Sequence, residues 1–146
     1  MTWVLYDYLD DKGINEIKAW TQKLQKKERA KLNAKLDMLE KHGSDLPPGL
    51  LSDTKFSHIK EIVIKGQVAV RLMVCRGPID NNKEFTLLFG AIEKDRKYIP
   101  RDALQQAETR RQKIIKAQKK WKEVIKGREI VKTPNSRRCL HERVGE

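Results

Sequence analysis

Lys55-Phe56-Ser57-His58-Ile59-Lys60-Glu61-Ile62-Val63-Ile64, then Lys65-Gly66-Gln67, then Val68-Ala69-Val70-Arg71-Leu72-Met73-Val74-Cys75 is the stretch that decides the fold. Both flanking runs are rich in β-branched and aliphatic residues, and a glycine sits in the short polar break between them, so the segment reads as a hairpin. Val68, Val70, Leu72 and Val74 share one face of the second strand, and Ala69, Arg71, Met73 and Cys75 share the other. A three-residue turn sets Ile64 opposite Val68 and Ile62 opposite Val70, both apolar pairs, and sets Glu61 opposite Arg71. Patterning therefore predicts a Glu61–Arg71 neighbour pair.

Downstream, 77–82 reads as a loop and Glu84–Ile92 as a third strand. A polar basic loop follows, Lys94-Asp95-Arg96-Lys97-Tyr98, and Pro100 then opens a long helix, as proline suits a first turn. Upstream, residues 2–8 read as a strand, with Asp10, Asp11 and Asn15 as N-cap candidates for the helix that follows. Ile14, Ile17, Trp20 or Thr21, and Leu24, then Leu32, Leu36 and Leu39, recur at helical spacing and give a helical hairpin, or one bent helix, ended by Gly43. The predicted class is α+β: an N-terminal strand, a helical hairpin, a three-stranded meander and a C-terminal helix, making a small antiparallel-rich sheet with one face covered and one open. Residues 1–126 form one predicted domain; residues 127–146 read as a basic tail, disordered until bound.

Of the 146 residues, 36% are charged and the net charge is +12. Residues 1–93 hold 15 Lys/Arg against 13 Asp/Glu, whereas residues 94–146 hold 17 against 7. A cationic last third points to a polyanionic partner. No run is long and apolar enough to span a bilayer, and the N-terminus lacks a signal pattern. Cys75 and Cys139 are far apart and lack metal-ligand spacing, as do His42, His58 and His141, so reduced thiols, a cytoplasmic setting, no metal and no cofactor are expected.

On an open face, Arg71 and Glu61 beside the 94–98 loop suit a phosphodiester. Metal-free RNA cleavage needs a base for the 2′-hydroxyl, a cation for the phosphorane and an acid for the 5′-oxygen. The planar fork of arginine fits the second role. Lys94, Tyr98 or Glu61 serves as base or acid where neighbouring charges shift its pKa. His58 shares a face with Ile62 and Ile64 and reads as a packing or capping residue.

The segment Lys55–Arg110 resembles the RelE/ParE superfamily of type II toxin–antitoxin toxins, nearest to its phage-derived, HigB-like branch. The likeness rests on Lys55 through Glu61-Ile62, on Val70-Arg71-Leu72, on Leu87-Leu88-Phe89-Gly90 through Glu93-Lys94, and on Pro100, Ala107 and Arg110. The resemblance implies a RelE-like fold and a metal-independent endoribonuclease that cuts mRNA, typically on the ribosome, and that a cognate antitoxin, a helix-turn-helix protein, neutralises. It implies catalytic roles for Arg71, Lys94, Glu61 and Tyr98 and RNA contacts from Lys55, Lys60, Arg96, Lys97 and Arg110. This chain departs from the family pattern at Val63, Val70 and Asp95, where the family has cationic or aromatic residues; Arg96 and Lys97 stand in for the lost charge. A gyrase-directed poison of the ParE type and a non-catalytic nucleic-acid-binding relative are the alternatives.

Overall fold

A computed structural model describes residues 3–66, 68–125 and 140–143. In chain order the elements are β1 (Val4–Tyr8), α1 (Glu16–Lys23), α2 (Lys26–His42), β2 (Ser52–Asp53), β3 (Lys60–Ile64), β4 (Ala69–Arg76), β5 (Glu84–Lys94), β6 (Lys97–Ile99), α3 (Ala103–Ile125) and β7 (Leu140–Glu142). The strands form one mixed, open sheet in the order β2-β3-β4-β5-β1-β7, with β6 added to the far half of β5. β1 runs parallel to β5, Val4 opposite Glu84, and β7 pairs antiparallel with β1. The architecture is α+β.

Asn15 caps α1, its side chain accepting a hydrogen bond from Lys18 N at 2.9 Å. Asp10 instead closes a turn, its Oδ1 accepting from the amides of Lys12 and Ile14. The Leu32, Leu36 and Leu39 stripe of α2 is buried. It packs with Ile17, Ile62, Ile64, Val70, Leu72 and Leu87 into one core. Trp20 lies against Gly90, its ring filling the space a side chain there would need. Gly43 ends α2 at φ +56°, with Trp3 pressed onto it.

Two expectations change. The hairpin register is shifted by two residues: Ile64 faces Val70, Ile62 faces Leu72 and Glu61 faces Met73. A slip of two leaves every side chain on its face, so hydrophobic patterning is blind to it. The second face is also not left open. Ala103, Leu104, Ala107 and Ile114 of α3 pack on Met73, Cys75, Leu88 and Ala91, making a second core. The alanines let the helix approach closely, a signal weaker than a stripe of large residues.

Two boundaries also move. α3 begins at Ala103 rather than at Pro100. The basic loop is mostly strand: β5 runs on to Lys94 and turns into β6 through Asp95 and Arg96, both at positive φ (53° and 65°), the left-handed pair typical of tight two-residue hairpins. In the segment read as a tail, Leu140–Glu142 adds a strand to the sheet. Arg143 Nη1 then donates to buried Asp7 Oδ1 at 3.0 Å. The expected disorder at 126–139 lies outside the described residues.

Candidate active site

Four strands each contribute one polar side chain to the α3 face of the sheet. Glu61 on β3, Arg71 on β4, Glu93 on β5 and Tyr98 on β6 form a single connected cluster. Arg71 Nη1 donates to Glu61 Oε1 at 2.6 Å. Tyr98 Oη donates to Glu61 Oε2 at 2.9 Å. Arg71 Nε lies 2.7 Å from Glu93 Oε2, an ion-pair contact whose N–H is not aligned for a hydrogen bond. The guanidinium also stacks on the Tyr98 ring, 5.6 Å from its centroid. Although the register is two residues off the expectation, the Glu61–Arg71 contact forms on the diagonal, within reach of long side chains on one face.

Burial sets the electrostatics. Glu61 is 3% exposed and the Arg71 side chain 20%. Burial pulls the Arg71 pKa down, but the carboxylates of Glu61 and Glu93 and the Tyr98 ring outweigh it, and the net shift is upward. Loss of solvent, then the hydrogen bond and the charge of Glu61, push Tyr98 up to about 12, so its phenol stays protonated at any physiological pH. Arg71 Nη2 donates no hydrogen bond within the protein among the described residues, and a partly exposed guanidinium with a spare nitrogen can reach a phosphate oxygen.

The other expected residues separate from this group. Lys94 pairs with Lys97 at the end of β5–β6, two residues beyond Ile92, so strand alternation places it on the opposite face from Glu93 and Arg71. The sequence expectation that Lys94 converges with Arg71 fails on that parity. Lys94, Arg96 and Lys97 are exposed at the hairpin tip, and the tip, with Arg101, lines a cleft of about 470 Å³ beside Tyr98. Lys60 opens β3 and is paired with Asp53 at 2.5 Å. Lys55 is exposed in the preceding loop, its Nζ 5.4 Å over the Phe56 ring. Arg110 is mostly buried: Nη1 donates to Leu88 O at 2.7 Å, Nη2 pairs with Glu16, and the guanidinium lies 4.9 Å from the ring centroids of Tyr8 and Phe89. It fastens α3 to the sheet and to α1.

Sequence reasoning missed Glu93. Continuing the alternation of β5 past Ile92 and treating Asp95-Arg96 as a two-residue turn finds it opposite Tyr98. It also missed Lys31, Lys35 and Lys65, which line a cleft of about 690 Å³ running to Arg71 across the edge of β3. Lys35 Nζ there donates to Val63 O at 2.8 Å. Cys75 is fully buried, and loss of solvent raises its pKa to about 12, so it is a packing residue; Cys139 lies outside the described residues. Among the described residues no group of three or more His, Cys, Asp or Glu side chains is placed to hold a metal ion, and no helix is long and apolar enough to cross a membrane.

No curated protein and no solved structure matches the chain. One family model does, that of Phage derived protein Gp49-like (DUF891), over residues 19–112, a span that runs from α1 into α3 and contains all four residues of the cluster. With well over half of its length matched, this chain belongs to the phage-derived Gp49-like family, a toxin-like family.

Proposed function

We propose that this protein is the toxin of a type II toxin–antitoxin module and acts as a metal-independent endoribonuclease on mRNA, with the ribosome aligning the substrate. The observation that carries the reading is the chain Tyr98–Glu61–Arg71: a phenol, a carboxylate and a guanidinium from three strands, joined by two short hydrogen bonds. These are the acid, base and cation that 2′-hydroxyl attack on a phosphodiester requires.

In this mechanism Glu61 takes the 2′-hydroxyl proton as that oxygen bonds to phosphorus. Arg71 receives the charge growing on the phosphorane oxygens. Tyr98 gives its proton to the departing 5′-oxygen, leaving a 2′,3′-cyclic phosphate and a 5′-hydroxyl. Glu61, 2.9 Å from the phenol oxygen, then passes its proton to the phenolate and resets the site. The near-closed cluster needs the substrate strand to part Glu61 from Arg71, a cost that ribosomal alignment offsets by several kcal/mol. Lys94, Arg96 and Lys97 at the hairpin tip and the exposed Lys55 supply phosphate-backbone attraction. A helix-turn-helix antitoxin is the expected neutralising partner.

The test is induction in a bacterium, followed by mapping of transcript 5′ ends. Wild type is expected to arrest growth and create new ends. Arg71→Lys and Tyr98→Phe, which keep charge or ring in place, are expected to lose about a hundredfold in cleavage. Arrest with intact transcripts, or undiminished cutting by both variants, overturns the reading.

One observation favours a second reading. Arg71 is flanked by two carboxylates, so the cluster carries more negative than positive charge. That weakens phosphate contact at the cluster and suits a toxin that acts without cleaving, whether a gyrase-directed poison or a relative that binds nucleic acid through its other basic residues. DNA-damage signalling with intact mRNA marks the first; salt-sensitive RNA binding without new 5′ ends marks the second.

A further inference from the structure

A further cavity lies at the other end of the sheet from the β5–β6 hairpin. It is an open hollow of about 820 Å³ between the loop after α2, the β4–β5 turn and the outer flank of α3. Its volume falls in the range of small-molecule sites. It shares no lining residue with the Glu61–Arg71–Glu93–Tyr98 cluster. Arg76 on its wall stands five residues beyond Arg71 on β4, about 17 Å along the strand.

Three features define what fits. The walls carry Arg76, Lys60, Arg111 and His58, and no carboxylate is among the lining residues. Lys60 and Arg111 are each paired, with Asp53 and Glu108, but Arg76 has no carboxylate partner among the described residues. Its Nε donates to Asn81 O and its guanidinium lies 5.2 Å over the Trp3 ring, so the side chain is oriented although the residue is exposed. Leu46, Leu51 and Ile115 give the lining an apolar part, and Asn82 adds an amide-bearing side chain to it. An anchored guanidinium beside an apolar surface and an amide matches an anion attached to a flat, hydrogen-bonding body.

We infer that this hollow is a binding site for a 5′-nucleotide, its phosphate on Arg76 and its base over the apolar part of the lining. The ligand is either a free mononucleotide or one unit of an RNA strand, which share that chemistry. The site stands independently of the cleavage proposed above, because none of the three residues assigned to that reaction lines it.

The experiment is titration calorimetry on the full chain with adenosine 5′-monophosphate, inorganic phosphate, adenosine and a short oligoadenylate. The monophosphate is expected to bind at least about tenfold more tightly than phosphate or adenosine alone, since each lacks half of the recognised chemistry. Arg76→Ala, at an exposed position, is expected to weaken that binding about tenfold or more, and Arg71→Lys to leave it unchanged. Oligoadenylate binding tighter than the monophosphate, and dependent on Arg76, identifies an RNA strand as the source; equal or weaker binding identifies the free nucleotide. Absence of monophosphate binding overturns the inference. So does binding that Arg76→Ala leaves intact, or phosphate binding as tight as the nucleotide. Transcript cleavage is read separately, so failure here does not count against the Tyr98–Glu61–Arg71 mechanism.

Discussion

Glu61 is the hub of the polar cluster because it is the acceptor for two donors at once. A buried carboxylate with a guanidinium on one oxygen and a phenol on the other has a hydrogen-bond donor on each oxygen. Glu61→Gln keeps the shape but removes the charge that Arg71 answers, and it is expected to abolish cleavage while leaving the folded protein measurable by circular dichroism. Tyr98 offers a direct spectroscopic check. Its pKa is raised from 10.0 to about 12, so the folded state favours the protonated phenol. The resulting stabilisation is complete below pH 10 and disappears as pH climbs through about 12. Ultraviolet titration is therefore expected to show a late-ionising tyrosine that Tyr98→Phe lacks; an unchanged curve contradicts the Glu61 contact. The pairing of residues 61 and 71 was legible in the sequence because both were polar at alternating positions of apolar strands. Their exact register was not, since nothing in a two-residue slip offends the pattern.

At the scale of elements, α3 and the β5–β6 hairpin decide how the site is framed. α3 is held by Arg110, whose guanidinium lies over two aromatic rings and bonds Leu88 O. Reading that arginine as an RNA contact followed from the family resemblance; a charge inside an alanine-lined helix face at Ala103 and Ala107 belongs to packing. Arg110→Ala is expected to lower stability by about 2–4 kcal/mol in urea unfolding, through lost stacking and an unanswered buried carbonyl. The hairpin tip tells a similar story. Arg96 holds φ at 65°, a conformation that costs an ordinary L-residue about 1 kcal/mol. Arg96→Gly is expected to raise stability by up to about 1 kcal/mol, less the entropy glycine adds to the unfolded chain. The sequence concealed this turn because five charged and polar residues in a row look like a loop. Only the pairing of Glu93 with Tyr98 reveals that the strand continues.

For the whole molecule, the sheet is mixed and covered on both sides, and its β1 edge is finished by Leu140–Glu142. Arg143 reaches Asp7, whose side chain is 3% exposed. Arg143→Ala removes the counter-charge of that carboxylate and leaves it the Asn15 amide, 3.0 Å from Oδ2, and is expected to cost about 3 kcal/mol, seen as a lowered melting temperature. The order of strand, helical hairpin, meander and helix was legible, as each element had its own period or cap. What the sequence hid was which sheet face α3 would take, because alanines between Leu104 and Ile114 leave only a weak apolar stripe.

All four members of the cluster sit between residues 60 and 99, on strands that are each neighbours in both sequence and space. Joining them demands only short loop closures, whereas β1 must find β5 across about eighty intervening residues, at a higher entropic cost. Staged assembly is the expected outcome: the meander matures as a local unit and the amino-terminal strand is recruited afterwards. Pulsed amide exchange during refolding should register protection in β3–β5 ahead of β1, so the polar quartet would be in place before the scaffold around it is complete.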